Sequence, residues 1–313
     1  MHDYYDFAGV SLRIRHDGDG LFRSIDKEIR YYGAGEAADP DCSAEFHLPD
    51  RKPTAAIPKK AIRTNILDGQ AVYLHDGQIF LSGRDNEYVI CMDFEKKRMT
   101  VDYAEDSKAL QNVSRWLLKL LIIKTAEEKG MSYVHASAAH YKGKNIVFCG
   151  DSHCGKSSSL IRLIRQGARA ISDDSVIFDG THIIPFTLNT TIDGDLEKRF
   201  GIKSGSFDIG FYMDHTQRYK NVDILVFLKI WNNDTSEIKP LDGNLALLSL
   251  IRSYQKELSF TSCAARDRGG PELSKQIFGR YAALVENAKC FSFYAGFDEE
   301  EVIKTLIDFL DRA

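Results

Sequence analysis

The chain has 313 residues, 43% of them hydrophobic and 27% charged, which is enough for about two domains with buried cores. Its formal net charge of -4 does not favour a nucleic-acid-binding protein, which usually carries a strongly basic face. No apolar run reaches the roughly 18 residues of a membrane-spanning helix, and the N-terminus lacks a secretory signal pattern. Its cysteines are scattered and form no Cys-x-x-Cys pair, so we expect a reduced, cytoplasmic protein without a membrane partner.

Residues 1–105 read mostly as β-strands separated by turns. Apolar and charged residues alternate over Val10 to Arg15, which is typical of a half-buried strand. His75-Asp76-Gly77 separates two short apolar runs and predicts a hairpin. We therefore predict a small β-rich N-terminal domain over residues 1–105.

Residues 106–313 mix helical and strand patterns, which predicts an α/β domain. A packing helix is expected from Asp106 or Ser107 to Gly130, because its leucines recur at helical spacing. The next predicted elements are a strand over 132–141, a strand over 145–149, a helix over about 156–166, and a strand over 168–172 that leads to Asp173-Asp174.

The strongest motif lies between the second of these strands and the helix. Gly150-Asp151-Ser152-His153-Cys154-Gly155-Lys156-Ser157 fits the pattern G-x-x-x-x-G-K-[ST] in full, in the strand–loop–helix context that the pattern requires. Glycines allow backbone N–H groups to approach phosphate oxygens, the lysine reaches the β- and γ-phosphates, and the serine hydroxyl binds Mg²⁺. The predicted ATP-binding residues are Gly150, Asp151, Ser152, His153, Cys154, Gly155, Lys156, Ser157 and Ser158.

Cys154 allows two interpretations. It is either a tolerated loop residue, or a thiol whose pKa is lowered by the neighbouring helix N-terminus and which nucleotide binding protects from alkylation.

Two acidic residues end the strand after the loop helix. One carboxylate of Asp173-Asp174 can hold Mg²⁺, and the other can accept a proton from an attacking hydroxyl. His135 lies on the strand that we expect to pair with the phosphate-loop strand. We predict that it lies near Asp173 and tunes the basicity of that carboxylate.

Three segments together carry a family resemblance: Val134-His135-Ala136-Ser137-Ala138, Gly150 to Ser158, and Gly167 to Asp174. In these segments the chain resembles the HPr kinase/phosphorylase family, whose fold is related to phosphoenolpyruvate carboxykinase. More narrowly, it looks like the HPr-kinase-like proteins of peptide natural-product clusters, including the lasso-peptide kinases. The resemblance implies an α/β P-loop kinase domain with a mixed sheet, which uses ATP and Mg²⁺ to phosphorylate a serine of a peptide or protein partner.

The resemblance also implies a role for each site residue. Lys156 would contact the phosphates, Ser157 and Asp174 would hold Mg²⁺, and Asp173 would be the general base with His135 beside it. Which of the two aspartates takes which role stays open. HPr kinases form hexamers, so a homo-oligomer is a further open alternative.

The chain departs from the family at His153-Cys154, where a glycine and a small or aliphatic residue are usual, and it lacks a Gly-rich segment downstream of the aspartates. The acceptor is therefore open between a peptide serine, an HPr-like protein and a small-molecule alcohol. A nucleotide-binding regulatory protein without phosphotransfer is the alternative outside the enzymes. Further candidate substrate contacts are Pro185-Phe186, Lys198, Arg199, Arg266 and Arg268.

Overall fold

The computed structural model describes residues 1–7, 9–18, 20–48, 57–67, 70–83, 86–188, 194–203, 207–262 and 270–313. The chain divides into two compact units. Unit 1 comprises Met1–Gly130 with Leu258–Gly270, and unit 2 comprises Met131–Glu257 with Pro271–Ala313.

Unit 1 is built on a sheet of eight strands within the described residues. Its elements are β1 (His2–Phe7), β2 (Val10–Arg15), α1 (Gly20–Ile29), β3 (Cys42–His47), β4 (Ile62–Leu67), β5 (Gln70–His75), β6 (Gln78–Ser82), β7 (Tyr88–Asp93), β8 (Arg98–Tyr103) and α2 (Lys108–Glu128). The strand order is β1-β2-β3-β8-β7-β6-β5-β4. The turn between β5 and β6 lies at Asp76 and Gly77, both with positive φ, as a tight hairpin requires.

Helix α2 belongs to unit 1, whereas the sequence placed it at the start of the second domain. It begins after Ser107, whose side chain accepts a hydrogen bond from the backbone N–H of Leu110. Its apolar residues, among them Leu117 and Leu121, are fully buried. The helix packs on α1 and on strands β2, β3, β7 and β8, which explains why it groups with the first sheet.

Unit 2 contains two sheets and five helices in the described part of the chain. Its elements are β9 (Ser132–Val134), β10 (Ala136–Tyr141), β11 (Lys144–Cys149), α3 (Lys156–Arg165), β12 (Arg169–Ser172), β13 (Val176–Phe178), β14 (His182–Ile184), α4 (Gly194–Arg199), β15 (Tyr219–Lys220), β16 (Ile224–Ile230), β17 (Glu237–Pro240), α5 (Gly243–Ser262), α6 (Gly270–Asn287), β18 (Lys289–Ala295) and α7 (Glu299–Arg312). The six-stranded sheet has the order β12-β10-β11-β16-β18-β17, and the four-stranded sheet has the order β15-β14-β13-β9. Strand β16 is parallel to β11 and β18, whereas β10 is antiparallel to β11, so the α/β class with a mixed sheet is confirmed.

Successive side chains of a strand point to opposite faces of the sheet, and both faces of the central strands in the six-stranded sheet are buried. Phe148 of β11 packs with Leu160 of α3 and Leu306 of α7 in one apolar cluster. Val147, one residue earlier, packs with Leu250 of α5 in a second cluster. Strand β11 is therefore fixed from both sides up to the point where the loop before α3 begins.

The strand predicted over 132–141 is interrupted at His135, which corrects that prediction. The part before it, β9, lies in the four-stranded sheet, and the part after it, β10, lies in the six-stranded sheet. The segment from β12 to β13 crosses between the same two sheets. Val134 pairs with Val176, and Ala138 pairs with Ser172, so residues 135–137 lie opposite residues 173–175.

We find no helix within the described ranges whose length and hydropathy would suffice to cross a bilayer.

Candidate functional site

The loop predicted to bind phosphate connects β11 directly to α3. Gly150 has φ 145° and Gly155 has φ 101°, two conformations that residues with a Cβ rarely adopt. A Cβ on Gly150 would lie 2.6 Å from Sγ of Cys154 and 2.8 Å from the carbonyl oxygen of Leu228. Gly155 caps α3 and has no side chain to accept from the first N–H groups of the helix, which are donors of the kind that bind an anion.

Lys156 is the first residue of α3 and is buried, with 7% of its surface exposed. Its ammonium group donates hydrogen bonds to the backbone carbonyls of Gly150 at 3.1 Å and Asp151 at 2.9 Å. The positive charge is thus held inside the curve of the loop, where the sequence predicted contact with phosphates.

Asp173 is the buried carboxylate of the acidic pair, with 7% exposure. Ser157 donates a hydrogen bond of 2.9 Å to its Oδ1. Ser137 donates to the same oxygen at 2.5 Å. Burial raises the pKa of Asp173 to about 6, and the charge of Asp174 adds to that rise, whereas the two serine hydroxyls oppose it. A carboxylate with this pKa is suited to accept a proton near neutral pH.

Asp174 points elsewhere and interacts with His135. Its backbone has φ 64°, in the left-handed region, and its side chain is 41% exposed. Nδ1 of His135 lies 2.9 Å from the backbone oxygen of Asp174 and 3.2 Å from its Oδ1. A carbonyl oxygen only accepts hydrogen bonds, so Nδ1 of His135 carries a hydrogen in this contact. The sequence placed His135 beside Asp173, and the structure places it against Asp174 instead. The side chains of these two adjacent aspartates point in different directions where the chain crosses between the two sheets.

Cys154 is part of the apolar cluster beneath α3 and is 7% exposed. Burial raises the pKa of its thiol, although the nearby Lys156 acts in the opposite direction. The interpretation as a reactive thiol with a lowered pKa is therefore wrong, and the loop-residue interpretation agrees with the packing.

Several other candidate residues have structural contacts instead. Phe186 is fully buried, and its backbone N–H and carbonyl both bond to the hydroxyl of Ser172. Arg199 forms an ion pair with Glu299, which also binds Arg162. Arg266 and Arg268 lie outside the described residues.

Sequence reasoning missed two residues around the loop. Ser137 was read as part of a family motif without a role, yet it contacts Asp173. Lys256 of α5 forms an ion pair of 3.0 Å with Asp151, and both side chains are exposed. The hydroxyl of Ser137 could have been anticipated from strand alternation, whereas a pair 105 residues apart could not.

The donor set fits a nucleotide-associated Mg²⁺. Within the described ranges no group of three or more His, Cys, Asp or Glu side chains is arranged to hold a metal on its own. Mg²⁺ is typically bound through one or two protein oxygens together with substrate phosphates and water. The hydroxyl of Ser157 and the carboxylate of Asp173 provide such oxygens at the phosphate loop. Asp174, predicted as the metal carboxylate, lies one residue further along and faces His135.

No protein-family model matches the sequence, and no curated protein matches it either. Among solved structures, the chain is similar to the Hpr(Ser) kinase/phosphatase from Coxiella burnetii, with 16% sequence identity and a TM-score of 0.23. That match covers 41% of this chain and 98% of the other.

Proposed function

We propose that this protein is an ATP- and Mg²⁺-dependent kinase that phosphorylates a serine hydroxyl of a peptide. The observation that carries the proposal is the 2.9 Å hydrogen bond between Ser157 and Asp173. Ser157, the candidate Mg²⁺ ligand, lies in the first turn of α3. The hydrogen bond brings its hydroxyl into contact with the buried carboxylate of Asp173, whose pKa is raised. Phosphoryl transfer requires these two elements side by side, because the metal faces the terminal phosphate and the base faces the attacking hydroxyl.

Each residue has a distinct task in this proposal. The backbone N–H groups of the loop and the ammonium of Lys156 bind the phosphates and neutralise their charge. Mg²⁺ held by Ser157 and Asp174 would add further charge neutralisation at the phosphate oxygens. Asp173 accepts the proton of the acceptor hydroxyl. His135 holds Asp174 through its backbone oxygen, and so fixes the corner that carries both carboxylates.

The contact between Ser157 and Asp173 also favours a second assignment, in which Asp173 holds Mg²⁺. The two assignments differ in which aspartate controls the pH profile and which controls the Mg²⁺ requirement. Replacing each aspartate separately, Asp173→Asn and Asp174→Asn, distinguishes them. If Asp173 is the base, Asp173→Asn abolishes transfer while ATP still binds, and Asp174→Asn keeps transfer but raises the Mg²⁺ concentration needed for half-maximal rate.

The test of the function is phosphate transfer from γ-labelled ATP to a library of serine-containing peptides, with peptides carrying alanine in place of serine as controls. We expect label only on the serine peptides. Lys156→Ala should impair nucleotide binding, and Asp173→Asn should abolish transfer while ATP still binds. Asp308→Asn, an exposed carboxylate on α7, is the matched control and should leave transfer unchanged.

Three outcomes would contradict the proposal. Label on an HPr-like protein or on a small alcohol, with none on peptides, would reassign the acceptor. ATP binding without any labelled product would favour a regulatory nucleotide-binding protein. Full transfer activity in Asp173→Asn would remove Asp173 as the base.

A further inference from the structure

A separate cavity of about 530 Å³ lies within unit 2, between helix α6 and the four-stranded sheet. Its size falls in the range of small-molecule sites. Apolar walls come from Phe178, Tyr281 and Leu284. No residue of the phosphate loop lines it, and neither do Asp173, Asp174 or His135.

The cavity is distinct from the candidate active site, although both adjoin strands β9 and β13. Ser132 begins β9 and Phe178 ends β13, and these two paired residues line the cavity. Val134 and Val176, at the other ends of the two strands, lead to His135 and Asp174. The cavity and the candidate active site therefore lie at opposite ends of this strand pair.

The charge of the cavity favours an anion. Arg280 is its one arginine or lysine, and none of its lining residues is an aspartate or glutamate. The guanidinium donates to the backbone oxygen of Met131 at 2.6 Å and to Gln276 at 3.4 Å, which leaves further N–H donors for a ligand. Among the described residues, no carboxylate forms an ion pair with Arg280. An arginine of fixed geometry on an apolar cavity is suited to bind a carboxylate in bidentate fashion.

We infer that this cavity is a binding site for a small amphipathic carboxylate. Its apolar body packs against Phe178, Tyr281 and Leu284, and its carboxylate binds the guanidinium of Arg280. This site is independent of the proposed kinase activity, because it requires neither ATP nor an acceptor serine.

Direct binding to the full chain, without nucleotide, tests the inference by isothermal titration calorimetry. The probes are hexanoate, 4-phenylbutyrate and indole-3-propionate, each compared with the corresponding primary alcohol. We expect at least one acid to bind about tenfold more tightly than its alcohol, since charge-assisted hydrogen bonds exceed neutral ones. Arg280→Gln should remove that preference, whereas Arg252→Gln, an exposed arginine of α5 that does not line the cavity, should keep it.

A second variant tests the location without removing a native contact. A Cβ at Gly279 would meet no atom within 4 Å, and Gly279 lines the cavity within α6. Gly279→Leu should therefore leave the fold intact, because leucine favours a helix more than glycine does, and should block acid binding. Circular dichroism melting curves verify that both variants are folded. Binding of no acid in the panel, equal binding of acids and alcohols, or unchanged acid binding in folded Gly279→Leu would each overturn the inference.

Discussion

The hydroxyl of Ser137 donates a hydrogen bond of 2.5 Å to the same Asp173 oxygen that accepts one from Ser157. Ser137 lies on β10 and is fully buried, and Ser157 lies in the first turn of α3. The carboxylate is thus held between the sheet and the loop helix. Both donors favour its charged form, and without them burial would raise its pKa further than about 6.

Ser137→Ala removes one of these donors, and we expect the pKa of Asp173 to rise above 6. In the proposed mechanism Asp173 is the general base and must be deprotonated, so the acid limb of the pH–rate profile should shift to higher pH. The rate well above that limb should change little, because Asp173 is then charged in both proteins. Phosphate transfer measured from pH 5 to 9 checks this.

Ser114→Ala is the matched control for this profile. Ser114 is a fully buried serine of α2 in unit 1, far along the chain from the site, and its replacement should leave the limb in place. An unchanged limb in Ser137→Ala would show that Asp173 is not the titrating group.

The ionisation of Asp173 should lower the stability of the protein as pH rises, whereas it should raise the rate of phosphate transfer. Its pKa rises from 3.8 in an unfolded chain to about 6 in the folded protein, so the folded state binds more protons between these values. Stability contributed by this group is therefore lost as pH rises from about 4 to 6. Two pKa units correspond to about 3 kcal/mol, which is an upper bound on this loss.

Asp173→Asn removes the buried charge and keeps an acceptor for the two serines. We expect the variant to be more stable than the wild type by up to about 3 kcal/mol above pH 7, and equal to it below pH 4. Urea unfolding at both pH values, without nucleotide or Mg²⁺, measures the difference. A variant that is less stable at pH 8 would show that the carboxylate stabilises the fold.

The local order of strand, loop and helix could be predicted from the sequence because its signals are local. The glycines of the phosphate loop and the apolar run before them lie next to each other along the chain. The pairing of β11 with β16 could not be predicted in this way, since it joins residues 78 apart. Helix α1 was also missed, because its short apolar pattern lies beside a turn-like segment.

The residues of the candidate site could be predicted from the sequence, but not all of the contacts between them. The motif placed Lys156, Ser157 and Asp173 in one region, and the structure brings them together. The contact of His135 with Asp174 depends on a crossing between two sheets, which strand periodicity does not reveal. A run of strand-forming residues over 132–141 is compatible with one strand or with two, and only pairing with β13 and β12 decides between them.

Cys154 should react slowly with thiol-alkylating reagents. Its thiol is 7% exposed and its pKa is raised by burial, so little reactive thiolate is present at pH 7.5. We expect iodoacetamide to label Cys154 equally slowly with and without ATP. Peptide mass spectrometry after timed labelling measures both rates. Rapid labelling of Cys154 that ATP suppresses would instead support a reactive thiol within the nucleotide site.

Replacing Gly150 by alanine should lower the free energy of unfolding more than the same replacement at Gly143, which also has a positive φ. In Gly150→Ala the new Cβ meets Sγ of Cys154 at 2.6 Å and the backbone oxygen of Leu228 at 2.8 Å. The strand β16 that carries Leu228 cannot move away easily, because it is paired on both sides. We expect a loss of about 2–4 kcal/mol in the free energy of unfolding, from backbone strain and overpacking together.

Gly143→Ala separates these two causes. Gly143 has φ 79° but a Cβ there would meet no atom within 4 Å, so its replacement costs only the backbone strain, about 1–2 kcal/mol. The double variant Gly150→Ala with Cys154→Ala relieves the sulfur contact but leaves the backbone oxygen in place, so it should not recover the stability of Cys154→Ala alone. Urea unfolding of the wild type and the four variants at one pH measures these differences. Equal losses for Gly150→Ala and Gly143→Ala would mean that the start of the loop has room for a side chain, and that close packing against β16 does not require a glycine at position 150.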